Sequence, residues 1–357
     1  MKLHNFNAGP SALPAEVIEQ AASALHNFND SGLSLLEIGH RTSLFIPVME
    51  EARQLVKELM QLDAEHEVLL LHGGATLQFL QVPMNLLDSQ GVAAYTETGT
   101  WSIKAIKEAA LLGKVSLAGS SAADHFTSIP STLHIDPQAA YLHITTNETI
   151  AGTQWHRMPY DCTCPLVADM SSDILSRSLD FNRFALIYAG AQKNMGAAGV
   201  CLVVVNKNCL GKVSRTIPSF LDYQLHIKEG SMLNTPPVFA VYVLLLTLRW
   251  IKANGGVAVM EKNNLEKATL LYNTLDQISL FDLPVKKEDR SLMNAVFLVK
   301  DPRLEKEFAA AAKAEGMIGI EGHRSVGGFR ASLYNAIPLS SVKTLADFIA
   351  LFANKKG

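Results

Sequence analysis

The chain has 357 residues, 48% hydrophobic and 18% charged, enough for a large core with a smaller companion, which excludes disordered and fibrous architectures. With 31 Lys and Arg against 34 Asp and Glu the formal charge is −3, so there is no global positive field to hold a nucleic acid or an anionic bilayer. The apolar stretch at 238–248 is shorter than the ~20 residues a membrane helix needs, and Met1-Lys2-Leu3-His4-Asn5 lacks the apolar run of a secretory signal. The expectation is a soluble, cytoplasmic protein without nucleic acid or membrane partners. The cysteines fit: Cys162 and Cys164 are too closely spaced for a CxxC zinc knuckle, Cys201 and Cys209 sit in or beside an apolar stretch, and no metal is expected.

Taken in chain order, helix-like runs at 15–27, 47–60 and 102–112 alternate with strand-like runs at 68–71, 92–95, 141–145, 166–168, 185–188 and 200–205. Buried β-rich strands interleaved with amphipathic helices make an α/β layer around a mostly parallel central sheet, which puts ligands at the strand carboxyl ends. A helix over Val238–Ala253 ends at Asn254-Gly255-Gly256, a glycine break after which the pattern changes. Helix, strand (293–299), helix (303–314), strand (329–334) and helix (341–354) follow. This predicts a large domain over 16–256 and a smaller α+β C-terminal domain over 257–357, joined by the N-terminal segment 1–15. The echo of Leu-Gly-Lys-Val-Ser at 112–116 and 210–214 is too short to be a repeat.

GxGxxG, Walker A, HExxH and GxSxG are all absent, which removes the commonest dinucleotide, P-loop, zinc-protease and α/β-hydrolase readings. Between the strands at 185–188 and 200–205 lies Ala189-Gly190-Ala191-Gln192-Lys193-Asn194-Met195-Gly196. Alone, a loop lysine is ordinarily a solvated group. A partly desolvated one at a strand end becomes a nucleophilic amine suited to Schiff-base formation. Asp169 closes the strand at 166–168; alone it reads as a helix cap, but paired with Lys193 it gives what a pyridoxal phosphate site needs, a carboxylate for the ring nitrogen and an amine for the aldehyde carbon. His72-Gly73-Gly74-Ala75-Thr76 follows a strand and opens a helix, where backbone N–H groups and the helix dipole converge on an anion. Trp101 follows Thr98-Gly99-Thr100 and could stack on a ring, although a lone Trp is more often core.

Further motifs complete a pattern: Phe6-Asn7-Ala8-Gly9-Pro10, Gly39-His40-Arg41, Asn147-Glu148-Thr149-Ile150, Ala168-Asp169-Met170-Ser171-Ser172, Asn234-Thr235-Pro236-Pro237 and the stretch from Gly322-His323-Arg324-Ser325 to Phe329-Arg330. Along essentially its whole length the chain resembles the phosphoserine aminotransferases, class V members of the fold-type I pyridoxal phosphate enzymes. The resemblance implies one pyridoxal 5'-phosphate per subunit, as a Schiff base on Lys193, with Asp169 on the ring nitrogen, Trp101 stacked on the ring and Thr149 on its phenolic oxygen. It assigns the cofactor phosphate to Ala75, Thr76 and Gln192, with Asn234 and Thr235 from the neighbouring subunit of a homodimer. His40, Arg41, His323, Arg324 and Arg330 are implied to bind the substrates.

The implied reaction is a ping-pong transamination between L-glutamate and 3-phosphooxypyruvate giving O-phospho-L-serine and 2-oxoglutarate, in serine biosynthesis. Some relatives also convert 3-hydroxy-2-oxo-4-phosphooxybutanoate to 4-phosphooxy-L-threonine in pyridoxine biosynthesis. Multiply anionic substrates want planar bidentate donors, which the arginines supply in a slightly acidic chain. Two departures stand out: Thr76 where certain bacterial relatives carry arginine, which shifts phosphate binding toward His40, Arg41, His323 and Arg324, and Ala8 where some carry serine. Three alternatives stay open. A cysteine desulfurase is disfavoured because no cysteine follows Cys209; a glyoxylate-type aminotransferase would need few pocket changes; a non-catalytic cofactor binder would not need the arginines.

Overall fold

The computed structural model describes residues 3–324 and 326–356; Met1, Lys2, Ser325 within the histidine–arginine motif, and Gly357 lie outside the described residues. The chain opens with β1 (His4–Asn5), α1 (Ala15–His26), α2 (Ile46–Leu59), β2 (His66–Leu71), α3 (Gly74–Leu86), β3 (Val92–Glu97), α4 (Thr100–Ala109) and β4 (Lys114–Ser120). It continues through β5 (Ala139–Thr145), β6 (Asn147–Glu148), β7 (Thr153–Gln154), β8 (Leu166–Asp169), β9 (Leu186–Gly190), β10 (Cys201–Asn206), α5 (Tyr223–Lys228) and α6 (Val238–Ala253). Then come α7 (Gly256–Asp276), β11 (Phe281–Asp282), β12 (Asn294–Val299), α8 (Pro302–Ala314), β13 (Met317–Ile318), β14 (Phe329–Ser332) and α9 (Leu339–Lys356).

Seven strands form the central sheet in the order β2-β10-β9-β8-β5-β3-β4, with β10 antiparallel to both neighbours and the other pairings parallel. Strand alternation divides the apolar side chains between two layers. Val68, Leu70, Ile144, Ile187 and Leu202 face the core under α1, α2 and α6; Leu69, Leu71, Tyr141, Tyr188 and Val203 face the core under α3 and α4. Both faces are therefore covered, and the ends of β2, β3, β5, β8 and β9 open on one edge. The sequence pattern does not signal β4. It is an edge strand paired only with β3, and its Leu117 is exposed, so it lacks the apolar run that marks the inner strands.

The second core gathers around β12 and β14 with α7, α8 and α9. The N-terminal segment joins it: β1 pairs in parallel with β13, and Phe6 is buried there. α7 is shared, with Val257 and Met260 in the large-domain core and Ala268, Leu271 and Leu275 in the small one. No single helix among the described residues is long and apolar enough to cross a membrane. At the centre of the small core, the fully buried Phe308 packs its ring 4.6 Å from Phe329, 5.0 Å from Phe352 and 5.2 Å from Phe348. Phe308→Ala is expected to lower stability by about 3–5 kcal/mol in a urea titration; a loss below about 1 kcal/mol would mean that this cluster does not hold the small domain.

Candidate active site

Lys193 stands on the turn after β9, where hydrogen bonds from two distant segments pin the loop. Ser11 donates through its hydroxyl to Lys193 O and through its N–H to Gln192 O (3.0 Å), and Asn335 N donates to Asn194 Oδ1 (2.8 Å). The Lys193 amine donates to Thr149 Oγ1 at 2.6 Å and lies 5.3 Å from the centre of the Trp101 ring. The residue as a whole is half-buried, but its amine is deep enough that desolvation pulls its pKa from 10.5 to about 8. Asp169 and Glu148 resist that shift, and Arg330 adds to it.

Asp169 ends β8 opposite Thr145 of β5 and Tyr188 of β9. Its Oδ1 accepts from Ser171 N at 2.9 Å, the turn-capping contact its sequence position suggests. Burial nonetheless dominates and raises its pKa, with the Ser171 hydrogen bonds and Lys193 opposing. These groups line a cavity of about 330 Å³ together with Ala75, Thr76, Trp101, Thr149, Gln192, His323 and Arg330. A larger, more open cleft of about 1100 Å³ runs along Trp155, Cys162 and Asp289. Its one lysine, Lys286, is exposed and ion-paired with Asp124 (2.9 Å), so it offers no desolvated amine, and chemistry rather than size locates the site.

The remaining expected residues lie elsewhere on the chain. Arg41 is exposed and donates to Met232 O (3.1 Å), and His72 Nε2 donates to Thr235 O (2.7 Å), so His40, Arg41, Asn234 and Thr235 do not line the cavity of their own chain. Desolvation, then Arg41, lowers the His40 pKa. Arg324 is exposed beside His323 and does not line the cavity.

Sequence reasoning missed Glu148. Its carboxylate is buried under the N-terminus of α4, accepting from Ser102 N (3.1 Å) and Trp101 N (3.4 Å), and desolvation raises its pKa to about 7. It thereby satisfies first-turn amides that no side chain of the helix itself reaches, and fixes the turn that carries Trp101. Thr145 and Asn147 also line the cavity. The signal was a period of two: residues 145, 147 and 149 line the cavity, whereas Thr146 and Glu148 between them do not.

The sequence profile described as aminotransferase class-V matches residues 3–345. The chain belongs to the class V aminotransferases. It is 54% identical over 356 residues to the phosphoserine aminotransferase of Flavobacterium johnsoniae, covering 99% of this chain and 100% of that one. The Porphyromonas gingivalis phosphoserine aminotransferase is 51% identical over 362 residues, with 99% and 100% covered. Among solved structures, the phosphoserine aminotransferase of Bacillus circulans subsp. alkalophilus superposes with a TM-score of 0.97 at 41% identity, covering 100% of this chain and 99% of that one. The pyridoxal phosphate-bound enzyme of Trichomonas vaginalis gives 0.93 at 34% identity, with 98% and 100% covered.

Class V aminotransferases work with pyridoxal phosphate, and the cavity fits it. Gly73, in the left-handed region (φ 83°), turns the chain from β2 into α3, whose N-terminus has no side-chain cap and opens beside Thr76 and Gln192. Buried polar atoms of the lining, Trp101 Nε1, Thr145 Oγ1 and Arg330 Nε, have no protein partner among the described residues. Gly99 leaves room for Glu148: a Cβ there would lie 2.6 Å from the Glu148 carboxyl carbon. Gly99→Ala is therefore expected to displace Glu148 and Trp101 and to raise the Kd of this aminotransferase for pyridoxal phosphate about tenfold or more in a fluorescence titration of apo-protein; an unchanged Kd would contradict this role.

Proposed function

We propose that this aminotransferase moves the amino group of L-glutamate to 3-phosphooxypyruvate, giving 2-oxoglutarate and O-phospho-L-serine, the activity named for its relatives. The observation that carries the reading is the Lys193 amine, with a pKa near 8, held by Thr149 and facing the buried Asp169 carboxylate across a cavity that Arg330 and His323 close. When bound, pyridoxal phosphate supplies an aldehyde to receive the amino group and a ring to take up the electrons of the substrate α-carbon.

The residues divide the remaining work. Lys193 Nζ would bond the aldehyde carbon of the resting cofactor. When free, the same nitrogen would take the α-proton of glutamate and would return a proton to the α-carbon that becomes that of O-phospho-L-serine. Asp169 would keep the ring nitrogen protonated, a task suited to a carboxylate held out of water beside a cation. The amides of Ala75 and Thr76 at the start of α3, the Thr76 hydroxyl and Gln192 would hold the phosphate, and Trp101 and Thr149 would fix the ring. Arg330 is the guanidinium already in the cavity and takes a substrate carboxylate, with His323 beside it.

His40, Arg41, Asn234 and Thr235 enter this reading through a second copy of the chain. Arg41 and the segment from Met232 to Thr235 meet on one surface outside their own cavity, which suits residues that complete a neighbour's site in a homodimer. Free thiols at Cys162, Cys164, Cys201 and Cys209 suit a cytoplasmic setting.

Purified holoenzyme given L-glutamate and 3-phosphooxypyruvate is expected to release O-phospho-L-serine, with glyoxylate a poor acceptor and Lys193→Ala slower by about 10³-fold or more. Preference for glyoxylate, or full turnover by Lys193→Ala, would refute the assignment. The amine must be unprotonated to attack an aldehyde. Bond formation between apo-protein and pyridoxal phosphate should therefore slow about tenfold per pH unit below about 8 and level off above it. A rate that keeps rising to pH 10.5 would mean that Lys193 titrates as an ordinary lysine.

A further inference from the structure

The hairpin of β6 and β7 docks onto the small domain through buried amides and hydroxyls rather than through apolar side chains alone. Asn147 Nδ2 donates to Ser172 Oγ (2.7 Å) and to Asn294 Oδ1 (2.8 Å), while Asn147 Oδ1 accepts from the Ser291 hydroxyl. Asn294 Nδ2 donates to Ser332 Oγ (3.0 Å) and to the Tyr334 hydroxyl (3.2 Å), which donates in turn to Ala8 O (2.9 Å). Asn147 is 3% exposed and Asn294 0%, so both amides lie out of water with both of their protons used. The approach is tight: Gly152, in the hairpin turn with φ +82°, has Val296 Cγ2 only 2.7 Å from where a Cβ would stand, and Ser291 N donates to Gly152 O at 2.9 Å.

This junction lies beside Arg330. β12 pairs with β14 in the register Asn294 to Ser332 and Val296 to Arg330, so these four side chains share one face, the one that meets the hairpin. β14 has β12 as its partner in the sheet and is held on its other side by Arg330 N donating to Ile320 O (2.7 Å), and Arg330 Nη1 reaches Thr149 O at 3.3 Å across the domain junction. A bidentate guanidinium grip tolerates little displacement, and the strand that carries it is located by its partner strand. Asn294 does not line the cavity; Arg330 does.

We propose that Asn294, bonded to Asn147 across the domain junction, is a positioning residue that sets where the Arg330 guanidinium meets the substrate carboxylate. The inference rests on the reading above, in which Arg330 binds a carboxylate. It makes substrate grip, rather than cofactor binding or proton transfer, the property that Asn294 controls, because its side chain bonds Ser332 at the end of β14 and Tyr334 just beyond it.

The test uses purified holoenzyme and reads the Kd of glutarate, an unreactive dicarboxylate, by calorimetry beside KM and kcat for L-glutamate. Asn294→Ala is expected to raise Kd and KM about tenfold, with kcat within about threefold and the visible cofactor absorption unchanged. Tyr334→Phe, which removes a single hydroxyl and little volume, should move both the same way by about threefold and serves if the alanine variant does not fold. In an Arg330→Ala background, Asn294→Ala should add no further weakening, since its effect runs through the missing guanidinium. Equal weakening with and without Arg330, or a loss confined to kcat, would overturn the proposal. Arg330→Ala with unchanged glutarate binding would overturn the carboxylate reading itself, and the two failures are told apart by that one variant.

Discussion

Holding an amine out of water without leaving it permanently charged is the constraint on which the site depends. A lysine ammonium inside protein is disfavoured by lost hydration and stabilised by nearby carboxylates, and here the two effects leave the Lys193 pKa near 8. Burial alone would push the amine further toward neutrality, while Asp169 and Glu148 pull the other way. The carboxylates are in turn raised by their own burial, most visibly Glu148, whose pKa is near 7. Lys193 and Glu148 thus stand close to the range in which protons move at neutral pH, and Asp169, itself raised by burial, pulls on the same amine.

The fold achieves this with the edge of one sheet. Parallel strands bring Asp169 at the end of β8, the turn after β9 and the segment after β5 to one place, and β2 and β3 add two helix N-termini, one open toward the cavity and one closed by Glu148. The small domain contributes no part of that trio. It supplies Arg330 and His323 to the cavity wall, so under the proposed function cofactor chemistry and substrate grip come from different parts of the chain, and the hairpin carrying Asn147 and Thr149 touches both.

Much of this is legible in the amino-acid order, for identifiable physical reasons. Inner strands such as β9 and β10 are buried, β10 up to its last residue Asn206, and read as unbroken apolar runs, and α6 ends at a glycine pair that the pattern marks. Asp169 and Lys193 show because each is a charged residue at or within three residues of the end of such a run. What stays hidden depends on non-local packing. β4 lies at the sheet edge with Leu117 exposed, the role of Glu148 becomes visible only when α4 is set above it, and the division of α7 between two cores follows from three-dimensional packing. His40, Arg41, Asn234 and Thr235 show the same limit from another side, since a motif names them but their own chain does not carry them into the cavity.

The protein buries a second lysine, Lys267, whose pKa desolvation lowers to about 7. Its amine is committed to Leu333 O and Tyr334 O, both at 2.8 Å, in the turn beyond β14, and it faces no cavity carboxylate. Low pKa alone therefore does not single out the reactive amine; placement opposite Asp169 does. Borohydride reduction of the holoenzyme followed by peptide mapping tests this most directly. The account predicts the cofactor-derived mass on the peptide containing Lys193 and on no other, and a mark on Lys267 or on a surface lysine would contradict it.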